Sequence, residues 1–143
     1  MNAPRPAEYF VSCRVGRLIE ARLKWLNGPA DVARLQTTML EVFAKAGPHG
    51  VICADWREAV VFRPEVGDAL VELLRRGNRQ INRSAVLLSA ADATFGLQIE
   101  RLLREAQNPQ RRSFRAAEPM LTWLGEVLSP EERERATAFL AES

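Results

Sequence analysis

Side chains that could bind a partner or a ligand are concentrated in the stretch VICADWREAVVFRP, residues 51–64. A buried-strand pattern ends at Asp55, which is followed directly by Trp56 and Arg57, with Arg63 a few residues later. Trp and Arg are enriched among the side chains that dominate the energy of protein interfaces. The stretch therefore predicts a binding surface. The alternative is that Asp55 caps local backbone N–H groups and Trp56 folds back onto the sheet edge.

A second apolar run, SAVLLSA at residues 84–90, is followed by Asp92 and Thr94. In open sheets, ligands gather beyond the carboxyl ends of parallel strands. If the two runs form neighbouring strands, one rim holds all of these side chains. The predicted binding residues are Asp55, Trp56, Arg57, Arg63, Ser89, Asp92 and Thr94.

The connection after Trp56 is unusually apolar for a loop, with Ala59, Val60, Val61 and Phe62 in succession. Either it is buried as an extended connection, or it forms an exposed patch for a partner or a lipid tail. A ligand carrier would need a sizeable apolar cavity between this segment and the helices that follow it.

Residues for catalysis or metal binding are sparse. The single histidine, His49, lies in a GPHG turn with no Ser or Cys nearby, and Asp55 and Glu58 are the nearest approach to a carboxylate pair. Cys13 and Cys53 lie within apolar strand-like runs, where free cysteines behave as small hydrophobic residues. No Gly-rich phosphate-binding motif or zinc-protease motif occurs. We expect no catalytic residue, no metal and no cofactor.

Composition indicates a soluble globular domain of 143 residues with a net charge of +2. Between Arg75 and Arg115 there are nine arginines but only three acidic residues. Arg111, Arg112 and Arg115 flank the last predicted strand and could meet an anionic ligand or an acidic partner; the alternative is an ordinary solvated edge. Nucleic acid is not expected, because the basic residues are not interleaved with aromatic ones.

The first ten residues lack an apolar signal segment, and no apolar run approaches the roughly 20 residues of a membrane-spanning helix. We therefore expect a cytoplasmic protein. Residues 1–143 are predicted to form a single domain, with residues 1–7 as a flexible lead-in and residues 130–142 as an extra C-terminal helix. Ser129, Pro130 and Glu132 predict a capping box at the start of that helix.

Hydrophobic periodicity predicts the element order β-β-α-β-α-β-α-β-α-α. The first two strands alternate apolar and polar residues around Gly16-Arg17, which is typical of a hairpin with one buried face. In the second strand Ile19, Ala21, Leu23 and Trp25 should face the core, and Glu20, Arg22 and Lys24 the solvent. The fold class is α/β: a mixed four- to five-stranded sheet, with the hairpin as antiparallel edge and parallel βαβ units after it.

A family resemblance follows from the ordered set VICADWR, PEVGDALVELLRR, SAVLLSA and RRSFRAAEPMLTWL. With the element order, this set resembles the STAS fold and, within it, the SpoIIAA-like group, also known by a SEC14-like name. The resemblance covers roughly residues 8–128. It implies a regulatory domain that is not an enzyme, similar to anti-sigma factor antagonists, which dock on a partner and are switched by phosphorylation of a serine after an Asp.

Asp55 matches the acid of that family pattern, but Trp56 stands near the serine's place, and residues 55–82 contain no Ser, Thr or Tyr. No phosphorylation site is therefore expected there. The predicted function is a regulatory or adaptor domain that binds a protein partner. The alternative is a SEC14-like carrier of a small apolar or lipid-like ligand. A homodimer, formed through the hairpin edge or the terminal helix, is left open.

Overall fold

The computed structural model describes residues 5–142, which form a five-stranded sheet and five α-helices. The predicted lead-in falls partly outside this range; within it, the Arg5 guanidinium lies 4.8 Å from the centre of the Trp25 ring. A short 3-10 helix, Asn78–Gln80, precedes the fourth strand. The strands are β1 (Glu8–Val15), β2 (Leu18–Trp25), β3 (Gly50–Asp55), β4 (Ile81–Leu87) and β5 (Arg111–Phe114). The helices are α1 (Pro29–Ala46), α2 (Pro64–Gly77), α3 (Ala93–Glu105), α4 (Ala117–Gly125) and α5 (Pro130–Ala141).

The strands lie in sequence order, β1-β2-β3-β4-β5. The hairpin pair β1–β2 is antiparallel, and the other three pairs are parallel. This confirms the predicted α/β class, with a mixed sheet and an antiparallel edge. Strand β5, at the opposite edge, has only four residues.

Helices cover both faces of the sheet. Ile52 and Ala54 of β3 point to the core formed with α1, α2 and α3, whereas Val51 and Cys53 point to the core formed with α4 and α5. All six residues of β3 are buried. The continuous apolar pattern of this strand follows from cover on both sides.

The prediction that β2 buries only one face was wrong. Ile19 and Leu23 face the α1–α3 core as expected, but Leu18 and Glu20 on the other face have no solvent exposure. The reason is α5, which packs on that face through Phe139. A glutamate that alternation assigns to solvent is therefore enclosed in the protein.

Helix α5 is fixed to the sheet by hydrogen bonds between charged and polar groups. Arg135 donates from Nε and Nη2 to the two carboxylate oxygens of Glu20, at 3.0 and 2.7 Å. At its start, Glu132 completes the capping box with Ser129 and also accepts the backbone N–H of Arg17 at 2.6 Å. The hairpin turn comes very close here. Gly16 has a φ of +55°, and a Cβ on it would lie 2.3 Å from Glu132 Oε2.

We expect Arg135→Ala to lower the free energy of unfolding by about 3 kcal/mol, because it leaves the Glu20 carboxylate buried without a cationic partner. Urea denaturation measures this loss. Arg101→Ala is the matched control: this arginine forms an exposed pair with Glu105, which contributes about 0.5 kcal/mol or less. Equal losses for the two variants would contradict the role given to the Glu20–Arg135 pair. The double variant Glu20→Met/Arg135→Met should lose less than Arg135→Ala, since no unpaired charge remains.

Candidate functional site

The ends of β3 and β4 meet at one rim of the sheet. Asp55 is paired in register with Leu87, and the backbone N–H of Trp56 donates to the Leu87 carbonyl at 2.9 Å. Two segments leave the sheet from this point. One leads from Trp56 to α2, and the other from Leu88 to α3. The rim therefore brings together the two regions from which the binding residues were predicted.

Asp55 is buried and bound to arginine within the protein. Arg57 donates from Nε to Asp55 Oδ1 and from Nη2 to Oδ2, both at 2.9 Å, and the Arg57 backbone N–H also donates to Oδ1 at 3.1 Å. Arg57 Nη2 donates further to the carbonyl of Leu140 in α5 at 2.7 Å. The two residues thus connect the end of β3 to α5, and the carboxylate does not face solvent.

Asp55 remains ionised in this environment. Burial by itself raises the pKa of its carboxyl, but the hydrogen bonds from Arg57 and the positive charges of Arg57 and Arg22 outweigh burial, so that the pKa lies below its usual value. The same contacts raise the pKa of Arg57. Asp55 is accordingly a fixed negative charge and is unsuited to exchange protons near neutral pH.

Trp56 is partly buried and packs edge-on against Phe62, with 5.9 Å between ring centres. Phe62 in turn packs against Phe95 of α3, at 5.4 Å. Such edge-to-face pairs stabilise beyond the area that they bury. The structure therefore gives Trp56 and Asp55 the packing and capping contacts of the alternative interpretation, while part of the Trp56 surface still reaches solvent.

The apolar connection divides into buried and exposed residues. Ala59 and Phe62 are buried, whereas Val60 and Val61 are 47% and 48% exposed. Gln98 of α3 holds the segment in place, because its Oε1 accepts the Phe62 N–H and its Nε2 donates to the Phe62 carbonyl, each at 2.8 Å. Two exposed valines are thus presented by a backbone that is fixed.

Leu97, the residue before this glutamine, is 66% exposed, the highest exposure among the large apolar side chains of residues 5–142. Phe95 and Ile99 of the same helix are buried, and Leu97 was not among the predicted binding residues. Helical periodicity could have indicated its exposure, because a leucine between Phe95 and Ile99 falls outside the buried face of the helix.

The remaining predicted residues have smaller roles. Asp92 caps α3 by accepting the Phe95 N–H at 3.0 Å, and Ser89 Oγ accepts the Ala91 N–H at 3.2 Å. Thr94 and Arg63 are exposed. Arg63 makes no side-chain hydrogen bond or ion pair among residues 5–142 and carries an available positive charge.

Burial raises the pKa of the Cys53 thiol to about 12 and also raises that of Cys13, so both are protonated at neutral pH. Within residues 5–142, no cluster of three or more His, Cys, Asp or Glu side chains could hold a metal ion. None of the helices in this range is long and apolar enough to cross a membrane.

The cavity beside the Val60–Phe62 segment is small, about 20 Å³, and is also lined by Lys24, Trp25 and Leu26. A single water molecule needs about 10–15 Å³ by the same measure. This space lies between the segment and the end of β2, and it is too small for a lipid-like ligand.

Neither a protein-family model nor a curated protein gives a significant match to this sequence. Function must therefore be inferred from the geometry of the chain itself.

We expect Trp56→Ala to lower the free energy of unfolding by about 2 kcal/mol, because it removes a partly buried ring that packs on Phe62. Trp56→Phe should recover part of this loss, since it restores an aromatic contact. Chemical denaturation measures both. A stability of Trp56→Ala equal to that of the native chain would show that the ring contributes nothing to the fold.

Asp55 should also make stability depend on acid pH. Its pKa is lowered in the folded state, so the unfolded chain binds the proton more readily; the stabilisation is present above the unfolded pKa of about 3.9 and is lost as pH falls through the folded value. We expect the free energy of unfolding to fall less steeply with acidification below about pH 5 in Asp55→Asn. Denaturation curves at a series of acidic pH values test this, and identical slopes would refute it.

Proposed function

We propose that this chain is a non-catalytic adaptor domain that binds a protein partner through an apolar rim surface. We define this surface by the exposed residues Val60, Val61, Leu97 and Arg63 and the accessible part of Trp56. The observation that carries the proposal is the exposure of Val60, Val61 and Leu97, by about half or more, around a segment that the Gln98 hydrogen bonds hold fixed.

Exposed apolar side chains in a group favour association, because contact with a partner removes them from water. The fixed backbone of the Val60–Phe62 segment also favours binding. The Phe62 backbone is already held by two hydrogen bonds, so binding does not require this segment to be ordered, and less conformational entropy is lost.

The chemistry of the partner follows from the charge beside the valines. Arg63 is exposed and unpaired within the described part of the chain, whereas Asp55 and Arg57 neutralise each other. A partner that presents apolar side chains with a carboxylate opposite Arg63 fits this surface. Exposed charges of this kind contribute more to orientation and association rate than to affinity.

The proposal agrees with the STAS resemblance in its place on the fold but not in its regulation. The loop after β3 lacks a hydroxyl, and the Asp55 carboxylate is already bound to Arg57, so that docking in our proposal is constitutive and independent of phosphorylation. The ligand-carrier alternative has no support between the Val60–Phe62 segment and the end of β2, because the cavity there measures only about 20 Å³.

The test compares Val61→Ser and Leu97→Ser with the native chain. A partner recovered from source cells is identified and purified, and its dissociation constant is measured by calorimetry. We expect each variant to weaken binding about tenfold, as truncation of an interface residue worth about 1.4 kcal/mol does. Thermal denaturation of both variants should match the native chain, because the side chains replaced are exposed.

Leu40→Ser is the matched control. Leu40 is 54% exposed on α1 and lies outside the apolar rim surface. The Leu40→Ser variant should bind the partner with the same affinity as the native chain. Unchanged affinity in Val61→Ser and Leu97→Ser, or equal weakening in Leu40→Ser, would rule out docking at this surface.

A further inference from the structure

Arg111, the first residue of β5, is buried to an extent that is unusual for a cation. It is 6% exposed, and no ion pair joins it to an acidic residue within residues 5–142. Nε donates to Asn78 Oδ1 at 2.9 Å, and Nη2 donates to the Leu74 carbonyl at 3.0 Å. Nη1 has no hydrogen-bond partner in the described part of the chain.

The surroundings do not fully compensate this charge. Leu74 lies in the last turn of α2, where the helix dipole attracts a cation, and this explains how a guanidinium is tolerated here. Even so, burial lowers the pKa of Arg111 to about 10. A buried arginine normally has a paired anion, because an isolated charge is costly to remove from water.

An apolar cavity of about 80 Å³ lies next to this arginine, between the sheet and helices α1–α3. Small or aliphatic side chains from the sheet and from α2 and α3 form its walls. They include Ala21, Ala54, Val86, Leu74, Ile99 and Leu102. A dry cavity of about 150 Å³ accepts benzene, so this one suits a shorter or thinner apolar group.

An open groove gives access to the same arginine from outside. It lies between α3 and β5, has a volume of about 580 Å³, and is lined by Arg104, Arg111 and Arg112 against a single acidic residue, Glu100. Leu103, Arg111 and Arg112 line both the groove and the cavity. Arg111 therefore stands where a basic groove meets an apolar space.

We propose that Arg111 and the cavity behind it form a binding site for a small amphipathic carboxylate. The carboxylate pairs with the guanidinium, and the short apolar chain occupies the space along Leu74, Ile99 and Leu102. The basic groove attracts the anion and admits it. The cavity shares Trp56 with the apolar rim surface but none of its other defining residues, and the site does not depend on the docking function proposed above.

A carboxylate fits better than a phosphate for reasons of charge. One buried guanidinium neutralises one negative charge, and the fork of Arg matches the two oxygens of a carboxylate. A phosphate monoester carries about −1.5 to −2 at neutral pH and would bring an unpaired charge into the apolar space. The lack of any apolar part in free phosphate also leaves the cavity unused.

The test is a titration of the full chain with straight-chain carboxylates, followed by amide chemical shifts in NMR spectra. Butyrate, hexanoate and decanoate are compared with 1-butanol and 1-hexanol and with inorganic phosphate. We expect saturable shifts at residues lining the cavity for butyrate or hexanoate. The alcohol of equal length should bind about tenfold or more weakly, because it lacks the charge-assisted hydrogen bonds.

Variants separate the two parts of the site. Arg111→Met removes the charge, Arg111→Lys keeps a charge but loses the fork, and Ala21→Leu fills the cavity while retaining Arg111. Each should weaken carboxylate binding about tenfold or more, whereas Arg101→Met, which replaces an exposed arginine of α3 that lines neither the groove nor the cavity, should retain the native affinity. If Arg111→Met fails to fold, the other two variants decide the outcome.

Several results would overturn the proposal. No saturable shift with any carboxylate would refute the site. Equal binding of carboxylate and alcohol, or equal affinity in Arg111→Lys and the native chain, would remove the role of the guanidinium. Native affinity in Ala21→Leu, or tighter binding of inorganic phosphate than of butyrate, would remove the role of the cavity.

Discussion

The carboxylate of Glu20 lies in the middle of the sheet without access to water, and the charge that balances it comes from Arg135 at the other end of the chain. This pair sets the position of α5. Once the helix is placed, Phe139 and Leu140 complete the second core, and Glu132 receives the hairpin turn at Gly16. The cost of a buried, unpaired glutamate makes other positions of α5 unfavourable. Glu20, a polar residue inside β2, thereby specifies how α5 covers the second face of the sheet.

Helix α5 also determines which side chains of the rim remain accessible. The Leu140 carbonyl accepts from Arg57, and Arg57 holds Asp55, so the charged residues at the end of β3 serve the fold. What remains accessible is mostly apolar, on the segment that Gln98 fixes to α3. In our proposal, binding at this rim therefore depends on shape and hydrophobic contact, with Arg63 supplying the charge that no other residue of the described chain pairs. At β5 the situation is the opposite. Arg111 is a buried charge whose hydrogen bonds go only to neutral groups.

Much of the fold could be predicted because local patterns determined it. Alternation predicted the hairpin, a continuous apolar run predicted β3, and Ser129 with Glu132 predicted the start of α5; the second apolar run, at residues 84–90, indicated β4 but was displaced from the observed strand, Ile81–Leu87. The burial of Glu20 could not be predicted, because its partner is 115 residues away and an alternating glutamate looks the same in solvent or in an ion pair. Asp55, Trp56 and Ser89 follow the ends of β3 and β4 as the strand pattern indicated, but the contacts at this rim depend on α5 and Gln98, which no local spacing encodes.

The long separation between Glu20 and Arg135 has a consequence for synthesis of the chain. The ribosome releases the hairpin long before α5, so the second face of β2, including Leu18, stays uncovered until α5 has emerged. A nascent chain of this protein therefore cannot complete the sheet one half at a time. During that interval the exposed strand face is where chaperones would act or aggregation would begin.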